Sequence, residues 1–142
     1  MTSYTPAEQA AHLHLITIVH QHLESSALWT NLSTHAALSD LPRPLLTGIP
    51  PSPVYIDPDA DPHAPPSIEE QQQVEWVLPV DLREKWSLRK MAEVFDAMPE
   101  GVWGLDAKGN PRKKRLLLAV IAEDSAVAYY FVHDGIVKPR QN

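Results

Sequence analysis

"RLLLAVIAEDSAVAYYFVH", residues 115–133, decides how this chain folds. Two apolar runs of strand length flank Glu123, Asp124 and Ser125, three residues suited to a turn, so the segment reads as a β-hairpin. Leucine, valine, isoleucine and tyrosine fall on both faces of each run. Strands with that pattern are expected to be covered on both sides, as in a sheet held between layers of helix. The second run also poses a problem, because a strand apolar on both faces offers water almost nothing.

Working outward, composition sets the frame. The chain has 142 residues, 44% of them hydrophobic, and no glycine or serine tract, so it fits one domain, residues 1–142, able to bury a core. There is no cysteine, which excludes disulfides and thiolate chemistry and suits an intracellular protein. The N-terminus lacks a basic region followed by an apolar one, and the longest apolar run, residues 116–122, is too short to span a bilayer. Neither secretion nor membrane insertion is expected. The net charge of −6 is unevenly spread: up to Asp81 ten acidic residues face only Arg43, whereas from Leu82 onward eight acidic residues face eleven basic ones. Such a chain is poorly suited to bind nucleic acid alone, since that affinity comes from clustered cations on phosphates; a local patch or a basic partner is required.

Before the hairpin, Thr5, Pro6 and Glu8 form a capping box with proline at the first helical position. Ala11, Leu15, Val19 and Leu23 then recur every fourth residue, flanked by Ile16, which predicts a helix over 6–25. An alternating stretch at 28–35 suits a strand. Residues 42–66 hold nine prolines, which forbid a helix and leave only short extended pieces such as 54–57; the whole of 42–73 reads as a proline-rich and polar, partly flexible segment. "IEEQQQ" is a polar bridge with room for one helical turn. "VEWVLPV", residues 74–80, reads as a strand with Val74, Trp76, Leu78 and Val80 on one face. A second helix starts at the N-cap Ser87, with Trp86 stapled onto Met91 and an apolar stripe of Leu88, Met91, Ala92, Phe95 and Met98, and it stops at Pro99. The order is helix, three strands, helix, two strands: an α/β domain.

Chemistry-bearing motifs are sparse. His12, His14, His20 and His22 have the composition of metal ligands, but no two stand three or four residues apart on a helix, so they do not converge on one ion; no metal and no cofactor are expected. The run Arg112, Lys113, Lys114 and Arg115 fits a phosphate-contacting patch, an import signal or a solvated loop end, and the residues leave these readings open. Trp76 and Trp86 sit at the edges of apolar patterns, as core anchors do.

Three strings carry a resemblance: "PRPLLTGIPP" (42–51), "EWVLPVDLREKWSLRKMAEVFD" (75–96) and "RLLLAVIAEDSAVAYYFVHDGIVKPRQN" (115–142). They resemble the small non-catalytic subunit of the eukaryotic tRNA-splicing endonuclease in its fungal form, over nearly the whole chain. The resemblance implies a three-layer α/β/α nuclease-like domain with a mixed five-stranded sheet. It also implies pairing with the smaller catalytic subunit as a heterodimer, which joins a second subunit pair in a heterotetramer that removes introns from precursor tRNA. Carried over to this sequence, the pairing strand is residues 126–133, with Val127, Tyr129, Tyr130, Phe131, Val132 and His133 as contacts, and Glu123 and Asp124 form an acidic loop for a basic cleft on the other pair. Precursor tRNA is met indirectly, the location is nuclear with cytoplasm as the second setting, and the isolated chain has the option of pairing with itself. A partner strand also resolves the opening problem, because it satisfies the strand backbone and covers its side chains.

Cutting subunits of that family use tyrosine, histidine and lysine without a metal. Tyr55, His63 and Lys114 occur here in the right chain order. His63, however, stands among Asp59, Asp61, Pro62, Pro65 and Pro66, a stretch that reads as a mobile loop, where two carboxylates repel a substrate phosphate and catalytic positioning to within roughly half an ångström is not expected. The expectation is an accessory subunit of a metal-independent endoribonuclease, with no catalytic residue of its own.

Overall fold

The two capping signals act as the sequence predicts. Thr5 Oγ1 accepts the Glu8 amide at 3.1 Å while the Glu8 carboxylate accepts the Thr5 amide at 3.0 Å, and Ser87 Oγ accepts the Lys90 amide at 3.2 Å. The computed structural model describes residues 4–35, 41–54, 63, 65, 72–105 and 108–134. Its elements are α1 (Pro6–Ser25), β1 (Thr30–His35), β2 (Leu45–Ile49), β3 (Glu75–Asp81), α2 (Leu88–Ala97), β4 (Arg115–Ile121) and β5 (Val127–His133).

The strands form one sheet in chain order, β1 to β5, in which every neighbouring pair is antiparallel except β3 and β4. That exception follows from α2, since a parallel pair needs a long crossover. The two helices cover opposite faces. Leu15, Ile16, Val19 and Leu23 of α1 pack on Leu46, Val77, Leu117, Ala119 and Ile121; Val94, Phe95 and the following Met98 pack on Leu45, Leu78, Val80 and Leu116. The result is a three-layer α/β/α domain with a mixed five-stranded sheet. No described helix is long and apolar enough to cross a membrane.

Several expectations are corrected. The inward stripe of α1 takes His12 in place of Ala11, because four residues turn a helix by about 400° and a repeat of four drifts roughly 40° per step. On α2, Leu88 is 67% exposed and Ala92 is exposed; Met91, Val94, Phe95 and Met98 face the sheet, so the helix meets it through its later turns. The strand expected from residue 28 begins at Thr30, since Leu28 takes φ 59° and turns its side chain to solvent.

The largest change concerns the proline-rich stretch. The strand described in it is β2; of the extended piece expected at 54–57, Val54 lies in a bend and 55–57 lie outside the described residues. Residues 42–48 are all buried, so this part of the stretch belongs to the core. Pro44 and Pro50 stand just outside β2, where a missing N–H does not interrupt the ladder. Pro79 sits inside β3 for a related reason. Its pairing with β2 ends at Val77, so no β2 carbonyl waits for its missing N–H, and its own carbonyl accepts Arg43 Nη2 at 3.1 Å.

Arg43, the lone cation of the acidic half, is 2% exposed and binds Glu84 at 2.7 and 3.3 Å, with the rings of Tyr4 and Trp86 at 5.7 and 5.3 Å. It ties the start of α1 to β2, β3 and the loop before α2.

Candidate protein-interaction edge

The β4–β5 hairpin closes through a compact turn. Ala122 and Ala126 pair across it, Ser125 takes φ 67°, and Asp124 Oδ1 accepts the Ala126 amide at 3.1 Å. Glu123 and Asp124 are exposed at its tip, with the Arg83 guanidinium 3.8 Å from Glu123. From there β5 runs in register with β4, from Val127 opposite Ile121 to His133 opposite Arg115. It is the last strand of the sheet, paired on one rim only among the described residues.

β5 is not covered on both faces, contrary to the expectation from its pattern; β4, one strand further in, nearly is. On the α1 side Val127, Tyr129 and Phe131 are half-buried. Tyr129 and Phe131, with Leu23, Ala27, Trp29, Val54 and Leu117, line an apolar groove of about 340 Å³. On the other side Ala128 is exposed, Tyr130 is 58% exposed and Val132 is half-buried, beside the half-buried Leu118 and Val120 of β4. The Tyr129 hydroxyl lies 2.7 Å from His22 Nδ1, and burial pushes its phenol up to about 12. His133 is held below the ordinary imidazole value by burial and by the charges of Arg115 and Lys113. The groove walls Leu23, Ala27 and Trp29 escaped the sequence reading, since nothing in the local pattern brings the end of α1 beside β5.

The opposite rim is built differently. β1 carries TNLSTH, a register shift between Thr30 and Ser33, and Asn31 at φ 54°. A short, polar, bulged strand blunts an edge against further pairing; β5 has no such device.

The basic run does not form one surface. Arg115 is 6% exposed and its guanidinium grips Glu75, itself 2% exposed, through Nε at 3.2 Å and a second, shorter contact from Nη2. Burial pushes the Glu75 carboxyl above its ordinary value against the opposing pull of Arg115. Lys114 Nζ donates to the Phe95 carbonyl near the end of α2 at 2.6 Å and stands 3.8 Å from Glu100. Arg112 Nε donates to the Leu105 carbonyl, and Lys113 is exposed. Arg115 and Lys114 are therefore structural, which takes these two out of the phosphate-contacting patch that was one open reading of Arg112, Lys113, Lys114 and Arg115. Of the triad, Lys114 is engaged with α2, His63 is exposed, and Tyr55 lies outside the described residues. Among the described residues no three histidine, aspartate or glutamate side chains gather to hold a metal ion.

Fold and edge together define a small α/β/α domain with a mixed five-stranded sheet and, among the described residues, an apolar strand open at one rim. Residues 18–142 match the family model described as Sen15 protein, and the chain belongs to that family. It is 39% identical to a Neurospora crassa protein named probable tRNA-splicing endonuclease subunit tsp-1, across 92% of this chain and 67% of that one. It is 31% identical to the probable tRNA-splicing endonuclease subunit sen15 of Schizosaccharomyces pombe, across 95% and 87%. A tRNA-splicing endonuclease subunit SEN15 from Eremothecium gossypii is 33% identical over 52% of this chain and 57% of its own.

Proposed function

We propose that this chain is the small non-catalytic subunit of a tRNA-splicing endonuclease, and that β5 is the edge through which it enters the complex. Family membership supports the assembly, and one structural observation carries the edge: among the described residues β5 is apolar and unpaired on its outer rim while β1 is blunted. The domain is nuclease-like in fold and accessory in role, and metal-independent cleavage belongs to the catalytic subunits. The smaller catalytic subunit adds a strand beside β5, covering Val127, Tyr129, Tyr130, Phe131, Val132 and His133. Side chains of that strand enter the groove between α1 and β5, so that backbone pairing supplies affinity and the groove supplies fit. Glu123 and Asp124, exposed at the hairpin tip, engage a basic cleft on the second subunit pair and complete the heterotetramer. Precursor tRNA is met through the complex, in the nucleus and in the cytoplasm as the second setting. Without its partner, the chain pairs with a second copy through the same edge.

Co-expression with the smaller catalytic subunit, followed by a mass measurement in solution, tests this reading. A stable heterodimer is expected, and Tyr130→Asp should weaken it. A chain that stays monomeric with and without that subunit defeats the proposal. Reversing Glu123 and Asp124 to lysine should leave the heterodimer intact and loosen the tetramer.

A further inference from the structure

A second group of cations lies outside the conspicuous basic run. Nine residues from Leu82 to Lys90, "LREKWSLRK", hold Arg83, Lys85, Arg89 and Lys90 against the single acidic Glu84, and Glu84 is occupied by Arg43. Arg83 is itself matched by Asp81 and Glu123. Lys85 and Arg89 are exposed and make no ion pair among the described residues, and the Lys90 ammonium donates to the Lys85 carbonyl at 3.1 Å. The patch therefore keeps an excess of positive charge in a chain whose net charge is −6.

Folding does not call for this arrangement. Arg89 and Lys90 lie in the first turn of α2, which has no acidic residue, and cations there oppose the helix dipole. Neither Lys85 nor Arg89 packs in the core, so both ammonium and guanidinium face outward where a partner can reach them. Leu82 and Leu88, 62% and 67% exposed, flank the cations as single apolar residues of a kind common on protein surfaces.

We infer that Lys85, Arg89 and Lys90 form a contact surface for the phosphate backbone of RNA. Resting on the subunit reading above, this names what the accessory subunit contributes to substrate capture: long-range attraction, without reading base sequence and without touching the reacting atoms. An acidic protein surface is the competing occupant.

The test uses the assembled four-subunit endonuclease carrying Lys85→Gln and Arg89→Gln in this chain, with labelled precursor tRNA in a salt series. Two lost phosphate contacts lower the slope of log affinity against log salt by roughly 1.4–1.8 and raise Kd about 15- to 30-fold near 0.15 M salt. Cleavage at saturating RNA should be unchanged. An unaltered slope and Kd overturn the inference while the subunit reading stands. So does a variant tetramer that dissociates although its heterodimer persists, for then the surface meets protein. If the wild-type chain forms no complex at all, both readings fall together.

Discussion

Replacing Arg115 by methionine distinguishes a core member from a surface cation. Arg115 and Glu75 face each other at the start of the parallel β3–β4 pair, with side chains 7% and 3% exposed. Removing one member of a buried pair leaves an unmatched charge in low dielectric and costs about 3–5 kcal/mol. That is a large part of the roughly 5–15 kcal/mol that holds a domain of this size together. With an m-value of about 2 kcal/mol/M, the urea midpoint should fall by roughly 2 M, followed through the four tryptophans. Exchanging both members, Glu75→Leu with Arg115→Met, should return stability to near the wild-type value or above it, because neither desolvated charge remains. The pH dependence carries a sign. Burial already holds Glu75 above its ordinary value, and Arg115 is what pulls it down. Without Arg115 the folded carboxyl lies further above the unfolded one, so the folded state retains its proton at low pH and loses stability as pH rises. The deficit of Arg115→Met against wild type should therefore be greater near pH 8 than near pH 5. A deficit under about 0.5 kcal/mol, indifferent to pH, is what a solvated cation gives and would refute the assignment. So would a double variant as unstable as the single one.

Arg43→Ala removes three hydrogen bonds and two ring contacts at once and should cost about 3 kcal/mol, a fall in Tm of roughly 10 °C; Arg43→Lys should recover little, since an ammonium lacks the planar fork. Acid should weaken the wild-type fold in a defined window. His12, lowered first by burial and then by Arg43, and His133, lowered first by burial and then by Arg115 and Lys113, are neutral in the folded state, so their stabilisation is whole above about pH 6.5 and is lost as pH falls through the lowered folded values. Urea midpoints at two pH values should differ in that direction, with His12→Asn and His133→Asn together flattening the difference; coincident wild-type midpoints contradict it. Tyr130→Asp should leave the monomer, measured at a dilution where the chain does not pair with itself, within about 0.5 kcal/mol of wild type, because the ring is 58% exposed, while lowering co-purification with the catalytic subunit; a destabilised monomer would place Tyr130 in the core instead.

The elements that sequence predicted best are those with local signals. Capping residues located the start of both helices, α1 spans the 6–25 that its periodicity predicts, β3 is offset by one residue, and the hairpin lies at its apolar runs. A cap acts over three residues and a strand alternates over two, so such features are legible in a short window. β2 was missed because the flanking prolines dominate the window, although they stand outside the strand and leave its ladder whole.

The candidate site divides in the same way. Tyr129, Tyr130 and Phe131 are apolar on both faces in any register, and that much is visible in the sequence. Whether a helix covers them depends on where α1 and α2 lie over the sheet, and both leave β5 partly open. The fate of the basic run depended on partners further away still: Arg115 meets Glu75 across 40 residues and Lys114 meets Phe95 across 19. Charge, periodicity and capping thus determined the elements, their faces and the acidic bias of the first half of the chain. Only the packing of distant segments decided which cations find a carboxylate and which strand lies at the rim, because desolvation and strand pairing act between neighbours in space, whatever their separation along the chain.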